Sequence, residues 1–356
     1  MKISIFTTVF YPHHSKFGIS NIAYLLARNM TERHGSDITV YSVSVDGQNL
    51  SDISCGMEVK RFRNEIKSFN FSHRMLLCKK NRADIVHSFH YGYFPATAGF
   101  ISAKKMGIPH VFTPAYHPPI YTSPKKVLSW CYNISQGVHI LKHSEKVLVF
   151  NNSEKEALQR HVEGRYEVSS CPVDRKIFCR ARKEAGKIRI GFIGPMLPWK
   201  GAGIAADIFS EIQKERDDVE FVFIGFGHLE KEIRKKGKFR FHKDLSAEKI
   251  AEHMNSMDIL VAPTKYESFG YILAEAGMCG TPVISTNVGA VPETVGPGGI
   301  LVNYGDWNGM RRQIEYLIDD GRKRKSLGKK AVKHTSRFRD DVVSEKIYRV
   351  YKSVAL

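Results

Sequence analysis

The chain has 356 residues, of which 42% are hydrophobic and 25% charged, and a formal net charge of +18. That length exceeds one ordinary core and predicts two domains; no apolar run reaches the 18 or more residues of a membrane helix. The six cysteines form no CxxC and no Cys/His pair at zinc spacing, which agrees with a reducing compartment and argues against a structural metal.

Residues 1–170 hold 21 Lys/Arg against 12 Asp/Glu, leaving 33 against 24 for the remainder. Both halves therefore favour anionic partners: phosphorylated substrates, an anionic membrane surface and, ranked last for want of an RNA-binding motif or zinc finger, nucleic acid.

The start, "MKISIFTTVFYP", has too short and hydroxyl-rich an apolar stretch for a signal peptide, so a cytoplasmic protein is expected. Strand-like runs then alternate with amphipathic stretches: "KISIFTTVF", "DITVYSV", "ADIVHSF", "HVFTPAY" and "KVLVF", followed by "IRIGFIG", "VEFVFIG", "DILVAP" and "TPVIST". Such alternation predicts parallel sheets covered by helices on both faces. The expected organisation is an α/β chain of two Rossmann-like, doubly wound domains, 1–170 and 187–336, facing each other across a cleft. The stretch 171–186, with Pro172 and a basic cluster, reads as the linker. Residues 337–356 form a terminal amphipathic helix able to return to the first domain.

Ligand sites of doubly wound domains lie at the carboxyl ends of the strands. After "IRIGFIG" comes "PMLPWKG", with Lys200 and Gly201; after "DILVAP" comes "TKYESFG"; in the first domain "TTVFYPHHSKFGIS" puts Gly18 ahead of a helix, and "HVFTPAYHPP" leaves His117 after its strand. The segment "YESFGYILAEAGMCGTPVI" reads as a loop and a helix over 269–279. Ser268 is its expected cap, and Gly280 followed by Pro282 is its stop. Glu267 then lies at the helix N-terminus and Glu275 about 7 Å along the axis. Between them the first-turn amides and the helix dipole favour a phosphate, and each carboxylate suits vicinal hydroxyls. Nucleotide-diphosphate sugars have that layout. Spacing alone equally admits a solvated Glu275 and a plain loop charge at Glu267.

With these residues in place, the chain resembles glycosyltransferase family four, retaining enzymes with the GT-B fold. The resemblance rests on "GPMLPWKG", "FIGFGHLEKEI" and "ESFGYILAEAGMCGTPVISTNVGAVPE", and is strongest from Ile188 to Val295. It implies that Glu275 binds donor ribose hydroxyls, that Glu267 holds the transferred sugar near its reacting carbon, and that Lys200, in the loop opened by Gly194, neutralises the diphosphate. It also implies that amides of Phe269, Gly270, Tyr271 and Ile272 contact phosphate and sugar. His117 matches a histidine close to the sugar from the opposite domain, and Gly18 matches the N-terminal glycine loop. The implied catalytic set is His117, Lys200 and Glu267, with no metal and no cofactor beyond the nucleotide-diphosphate sugar substrate.

Two departures stand out: Pro195 replaces the usual arginine after the loop glycine, and Ile19 follows Gly18 where a second glycine is common. Alternatives are a GT-B binding module that has lost turnover and another GT-B enzyme such as a sugar-nucleotide epimerase. His87 and His90 are expected to orient loops or meet acceptor, His13 and His14 to be exposed, and Glu293 to cap the turn after it. Residues 59–82 hold eight Lys/Arg against one acid, Glu65, interleaved with Phe62, Ile66, Phe69, Phe71, Met75, Leu76 and Leu77. This stretch is read either as an anionic-membrane contact serving a glycan or lipid-linked acceptor on the inner face of the membrane, or as core aromatics beneath a solvated charged face.

Overall fold

A computed structural model gives the fold, described for residues 1–10, 19–44, 49–67, 70–77, 83–116, 136–181 and 186–355. The chain divides into two compact units, Met1–Pro172 with Asp340–Leu356, and Val173–Arg339.

The first unit is built on an eight-stranded sheet of β1 (Lys2–Phe6), β2 (Asp37–Val43), β3 (Ser51–Ser54), β4 (Met57–Phe62), β5 (Ile85–Phe89), β6 (His110–Thr113), β7 (Lys146–Val149) and β8 (Tyr166–Val168). Their order is β3-β4-β2-β1-β5-β6-β7-β8, and every pairing is parallel except β3 with β4. The central strands are apolar runs buried on both faces, as a helix-covered parallel sheet requires. Connections run through α1 (Ile19–His34), α2 (Phe94–Met106), α3 (Val138–His143) and α4 (Asn152–Gln159).

The terminal helix, Asp340–Ala355, is part of this unit. Buried Asp340 accepts from Arg28 and Asn29 of α1, each at 2.8 Å. Tyr351 Oη lies 2.5 Å from His87 Nδ1, and His87 Nε2 lies 2.8 Å from Thr113 Oγ1. His87 is therefore not a loop or acceptor residue: it is an inward-facing residue of β5 with no exposed surface, and burial holds its pKa well below the ordinary imidazole value.

The second unit carries β9 (Ile188–Ile193), β10 (Val219–Ile224), β11 (Arg240–His242), β12 (Ile259–Ala262), β13 (Val283–Thr286) and β14 (Gly299–Val302) in a parallel sheet ordered β11-β10-β9-β12-β13-β14. The chain first winds outward from β9 and then restarts on its other side at β12, so the topological switch point lies between these two strands. Around the sheet pack α5 (Ala202–Glu215), α6 (Glu230–Ile233), α7 (Ala247–Ser256), α8 (Tyr271–Cys279), α9 (Val291–Val295), α10 (Trp307–Asp319) and α11 (Gly321–Thr335). One face is an aromatic layer in which Phe209 of α5 stacks on Phe221 of β10 with centroids 4.7 Å apart; such pairs add about 0.5–1.5 kcal/mol beyond area burial.

The division between the units falls within the stretch read as the linker, where Cys171, Val173 and Phe178 are buried and Val173 bridges to Arg339. In the basic stretch 59–82, Val59 and Met75 are fully buried, Phe62 and Leu76 pack on the core, and Phe71 lies 4.4 Å from Phe94. Within β4 (Met57–Phe62) the alternation of the strand buries Met57 and Val59, whereas Met75 and Leu76 come from the short turn His73–Leu77. Exposed large apolar residues in and just before this stretch include Ile66 and, on and beside the edge strand β3, Ile53 and Leu50. Phe69, Lys79 and Lys80 lie outside the described residues. Among the described residues no helix is long and apolar enough to cross a membrane.

Candidate active site

The loops leaving β9 and β12 flank the switch point of the second unit, and four of the residues singled out in the sequence occupy them. Gly194, with φ 144°, opens the first loop and has nothing within 4 Å of where a side chain would begin. Exposed Pro195 follows. The loop then makes a short turn over Pro198–Lys200 and enters α5 through Gly201. A Cβ on Gly201 would meet the carbonyl oxygen of Pro263 at 2.0 Å, so only glycine lets this loop lie directly on the exit of β12. The amide of Lys265 donates to the carbonyl of Trp199 at 2.9 Å and fastens the second loop to the first.

That fastening brings together two residues 67 positions apart: Lys200 Nζ donates to Glu267 Oε1 at 2.6 Å. Both side chains are largely covered, 21% and 17% exposed, and the ammonium also lies 4.3 Å from the Trp199 ring centroid. Glu267 is held from behind as well. Its carbonyl accepts from Ala290 at 2.9 Å, an approach that leaves no room for a side chain at Gly289.

α8 begins two residues later than expected. Its N-cap is Gly270, in the left-handed region at φ 83°, and no side chain caps it. Ser268 is therefore not the cap. Phe269 lies before the helix, buried, with its carbonyl accepting from Thr294 Oγ1 at 2.5 Å. Half-buried Tyr271 and Ile272 form the first turn. First-turn amides have no intrahelical acceptor, and the summed peptide dipoles leave this end positive. Glu267 and Lys200 thus sit beside an uncapped helix N-terminus.

Glu275 is not a solvated helix residue. It faces inward at 3% exposure, its Oε2 has no hydrogen-bond partner, and burial pushes its pKa up from the ordinary 4.5 to about 8. A carboxyl buried with an unsatisfied oxygen costs stability, and a group so perturbed by burial is a functional-site candidate.

Gly18 and His117 lie outside the described residues, as do His13 and His14; α1 begins at Ile19. Glu293 falls in α9, where its carbonyl accepts from His334 Nε2 at 2.9 Å. Sequence reasoning missed the braces: Thr294 on Phe269, and Gly289 with Ala290 on Glu267. The downstream "NVGAVPE" was the available signal, since a glycine before a short helix marks a close backbone approach.

The two doubly wound units, with the switch point of the second between β9 and β12, define a GT-B protein. Residues 187–320 match the family described as glycosyl transferases group 1, and residues 18–176 match glycosyltransferase family 4. The chain belongs to this family of glycosyltransferases. It is 27% identical over 288 residues to an uncharacterized glycosyltransferase of Methanocaldococcus jannaschii, covering 76% of each chain. It is 23% identical to a D-inositol 3-phosphate glycosyltransferase of Stackebrandtia nassauensis over 72% of this chain and 65% of that one. The match to the Corynebacterium diphtheriae protein of the same name spans 43% of that protein's length.

Among solved structures, sucrose-phosphate synthase of Thermosynechococcus elongatus superposes with a TM-score of 0.81 at 16% identity, covering 99% of this chain and 98% of that one. Anabaena HepE in complex with UDP-glucose superposes with a TM-score of 0.75 at 17% identity, covering 99% and 100%.

Proposed function

We propose that the protein transfers a sugar from a nucleotide-diphosphate sugar to a glycan or lipid-linked acceptor, with retention of configuration and without a metal ion. The observation that carries this reading is the 2.6 Å contact of Lys200 with Glu267 beside the uncapped N-terminus of α8. Breaking a sugar–phosphate bond leaves negative charge on the diphosphate and positive charge on the sugar. Lys200 and the amides of Gly270, Tyr271 and Ile272 offset the first, and Glu267 offsets the second.

In this reading Gly194 leaves room for the phosphates, and Glu275 turns its unpartnered oxygen to the ribose hydroxyls. Because Lys200 already neutralises Glu267, its carboxylate is a poor nucleophile. That favours front-face attack by the acceptor, with the departing phosphate taking the proton. The bound UDP-glucose of HepE supports a nucleotide-sugar donor.

A panel of radiolabelled nucleotide sugars, beginning with UDP-glucose, tests the reading. Release or transfer of sugar from at least one is expected, unchanged by EDTA. Inertness towards all of them leaves a binding module, and strict dependence on magnesium or manganese removes the metal-free mechanism.

The acceptor proposal is a lipid or lipid-linked saccharide met from the cytoplasmic side, with Lys67 and Arg74 facing anionic headgroups and Ile53 and Ile66 as the apolar contacts. Each basic residue near such a surface adds about 1 kcal/mol. Co-sedimentation with anionic liposomes at low salt is expected, and its loss when Lys67 and Arg74 become Glu. A wild-type protein that stays in the supernatant makes a soluble acceptor the better reading.

A further inference from the structure

The first turn of α8 belongs to the proposed donor site, and its last residue is a buried cysteine that the reaction does not use. Cys279 is 4% exposed and stands one helical turn after Glu275, so thiol and carboxyl share one face of the helix. Burial, and after it the neighbouring Glu275 carboxyl, push the thiol's pKa well above its ordinary value.

A strap of chain, residues 179–181, lies against this end of α8. Asn255 of α7 holds it at two points: its Nδ2 donates to the carbonyl of Cys179 at 3.0 Å, and its Oδ1 accepts from the amide of Ala181 at 2.7 Å. A Cβ on Gly280, the residue after Cys279, would meet Arg180 Cδ at 3.1 Å, so strap and helix end are in direct contact. The Cys179 amide hydrogen-bonds the Cys279 sulfur. Along the bonds N–Cα–Cβ–Sγ, the Cys179 sulfur is three bonds from that amide nitrogen. Neither cysteine is in a disulfide, and Cys179 is exposed. Both lie in the second unit, whereas Cys55 and Cys171 belong to the first. An accessible thiol beside a covered one gives an oxidant one point of entry and a resolving partner.

We propose that Cys179 and Cys279 are a site of reversible oxidation by low-molecular-weight disulfides, and that the bond they form displaces Glu275 and weakens donor binding. The second half rests on the reading above that Glu275 takes the ribose hydroxyls. In the first step the Cys179 thiolate attacks a reagent disulfide RSSR, which forms Cys179–S–SR and releases RSH. Cys279 then gives its proton to solvent and attacks the Cys179 sulfur, which forms the Cys179–Cys279 disulfide and releases a second RSH. The protein loses two electrons and two protons, and the reagent takes up both. Because burial keeps Cys279 protonated, the second step is slow, and a reducing compartment returns the pair to thiols. Closing the bond brings the sulfurs to about 2 Å, nearer than any non-bonded contact. The end of α8 is thereby drawn onto the strap, and Glu275, one turn back on the same helix, moves with it.

The experiment incubates the folded full chain with glutathione disulfide, alkylates the remaining thiols in denaturant and maps the peptides by mass. UDP affinity is read by calorimetry before and after oxidation, and Cys179→Ser is the control. The expected result is a peptide pair joined through Cys179 and Cys279, two hydrogens lighter than its separate parts. UDP affinity is expected to weaken roughly fivefold or more, and dithiothreitol is expected to reverse both changes. Cys179→Ser is expected to keep the affinity of the reduced wild type with and without the oxidant. Glutathione left on Cys179 beside an alkylated Cys279 overturns the site, and so does Cys179 joined to any other cysteine or left unmodified. A joined pair with unchanged UDP affinity overturns the displacement of Glu275 and leaves the disulfide standing. If reduced wild type binds neither UDP nor the nucleotide of any other sugar in the panel, the donor reading fails, and the peptide map by itself decides the disulfide.

Discussion

The two units solve the same problem, holding loops at the carboxyl edge of a parallel sheet, by different means. In the second unit the loops are locked by backbone contacts that depend on missing side chains: Gly201 against the Pro263 carbonyl and Gly289 against the Glu267 carbonyl. In the first unit buried polar side chains reach across the sequence instead: Glu154 takes the amide of Tyr116 at the exit of β6, and His87 ties the terminal helix to the sheet through Tyr351. Glycine contacts leave a fixed local spacing in the chain. Long-range polar contacts leave none, which is why these ties of the first unit could not be read from its sequence although its central strands could.

The sharpest way to break this contrast is to remove the charge that the glycine-locked loops present. Lys200→Ala is expected to lower kcat by about 10²–10³, with Lys200→Arg losing much less. Equal losses would mean that the lysine merely supports Glu267.

Next in size is Gly201→Ala. Its new methyl meets the Pro263 carbonyl, and alanine resists φ 76°. Overpacking and left-handed strain together predict a loss of about 2–4 kcal/mol in urea unfolding; a change below about 1 kcal/mol would show that the loop has slack.

Glu275 sharpens the comparison through pH. Its pKa is raised in the folded state from 4.5 to about 8, so the native protein keeps a proton that the unfolded chain releases. The stability this group contributes is fully present below about pH 4.5 and is lost as pH rises towards 8. Denaturation across that range is expected to show a falling stability in wild type that Glu275→Gln removes; parallel profiles would place the titration elsewhere. In the same variant nucleotide binding, read by calorimetry, is expected to weaken about 10-fold, because glutamine replaces one carboxyl oxygen by an NH2 group that cannot accept from a hydroxyl.

The smallest effect belongs to the first unit's polar ties. Tyr351→Phe leaves a buried ring nitrogen of His87 without its 2.5 Å partner and is expected to cost about 1–3 kcal/mol with kcat unchanged. A loss of activity at constant stability would give the terminal helix a part in the site.

The nine apolar runs and the placing of Gly194, Lys200 and Glu267 in loops after strands were legible in the sequence by itself. Periodicity, glycine placement and strand-to-loop order are local properties, and a parallel α/β sheet leaves little freedom in where its loops emerge. The short strands β3, β4, β8, β11 and β14 were not legible, because three to six residues carry too little pattern. β4 in particular was hidden among basic residues, in a stretch read either as a membrane contact or as core aromatics beneath a charged face. Only the tertiary structure decided that Lys200 touches Glu267, that Ser268 yields the cap to Gly270, that Glu275 is buried with an idle oxygen, and that Glu154 takes the Tyr116 amide. Each of these depends on which layers close over a side chain, and burial is set by neighbours that local spacing does not record.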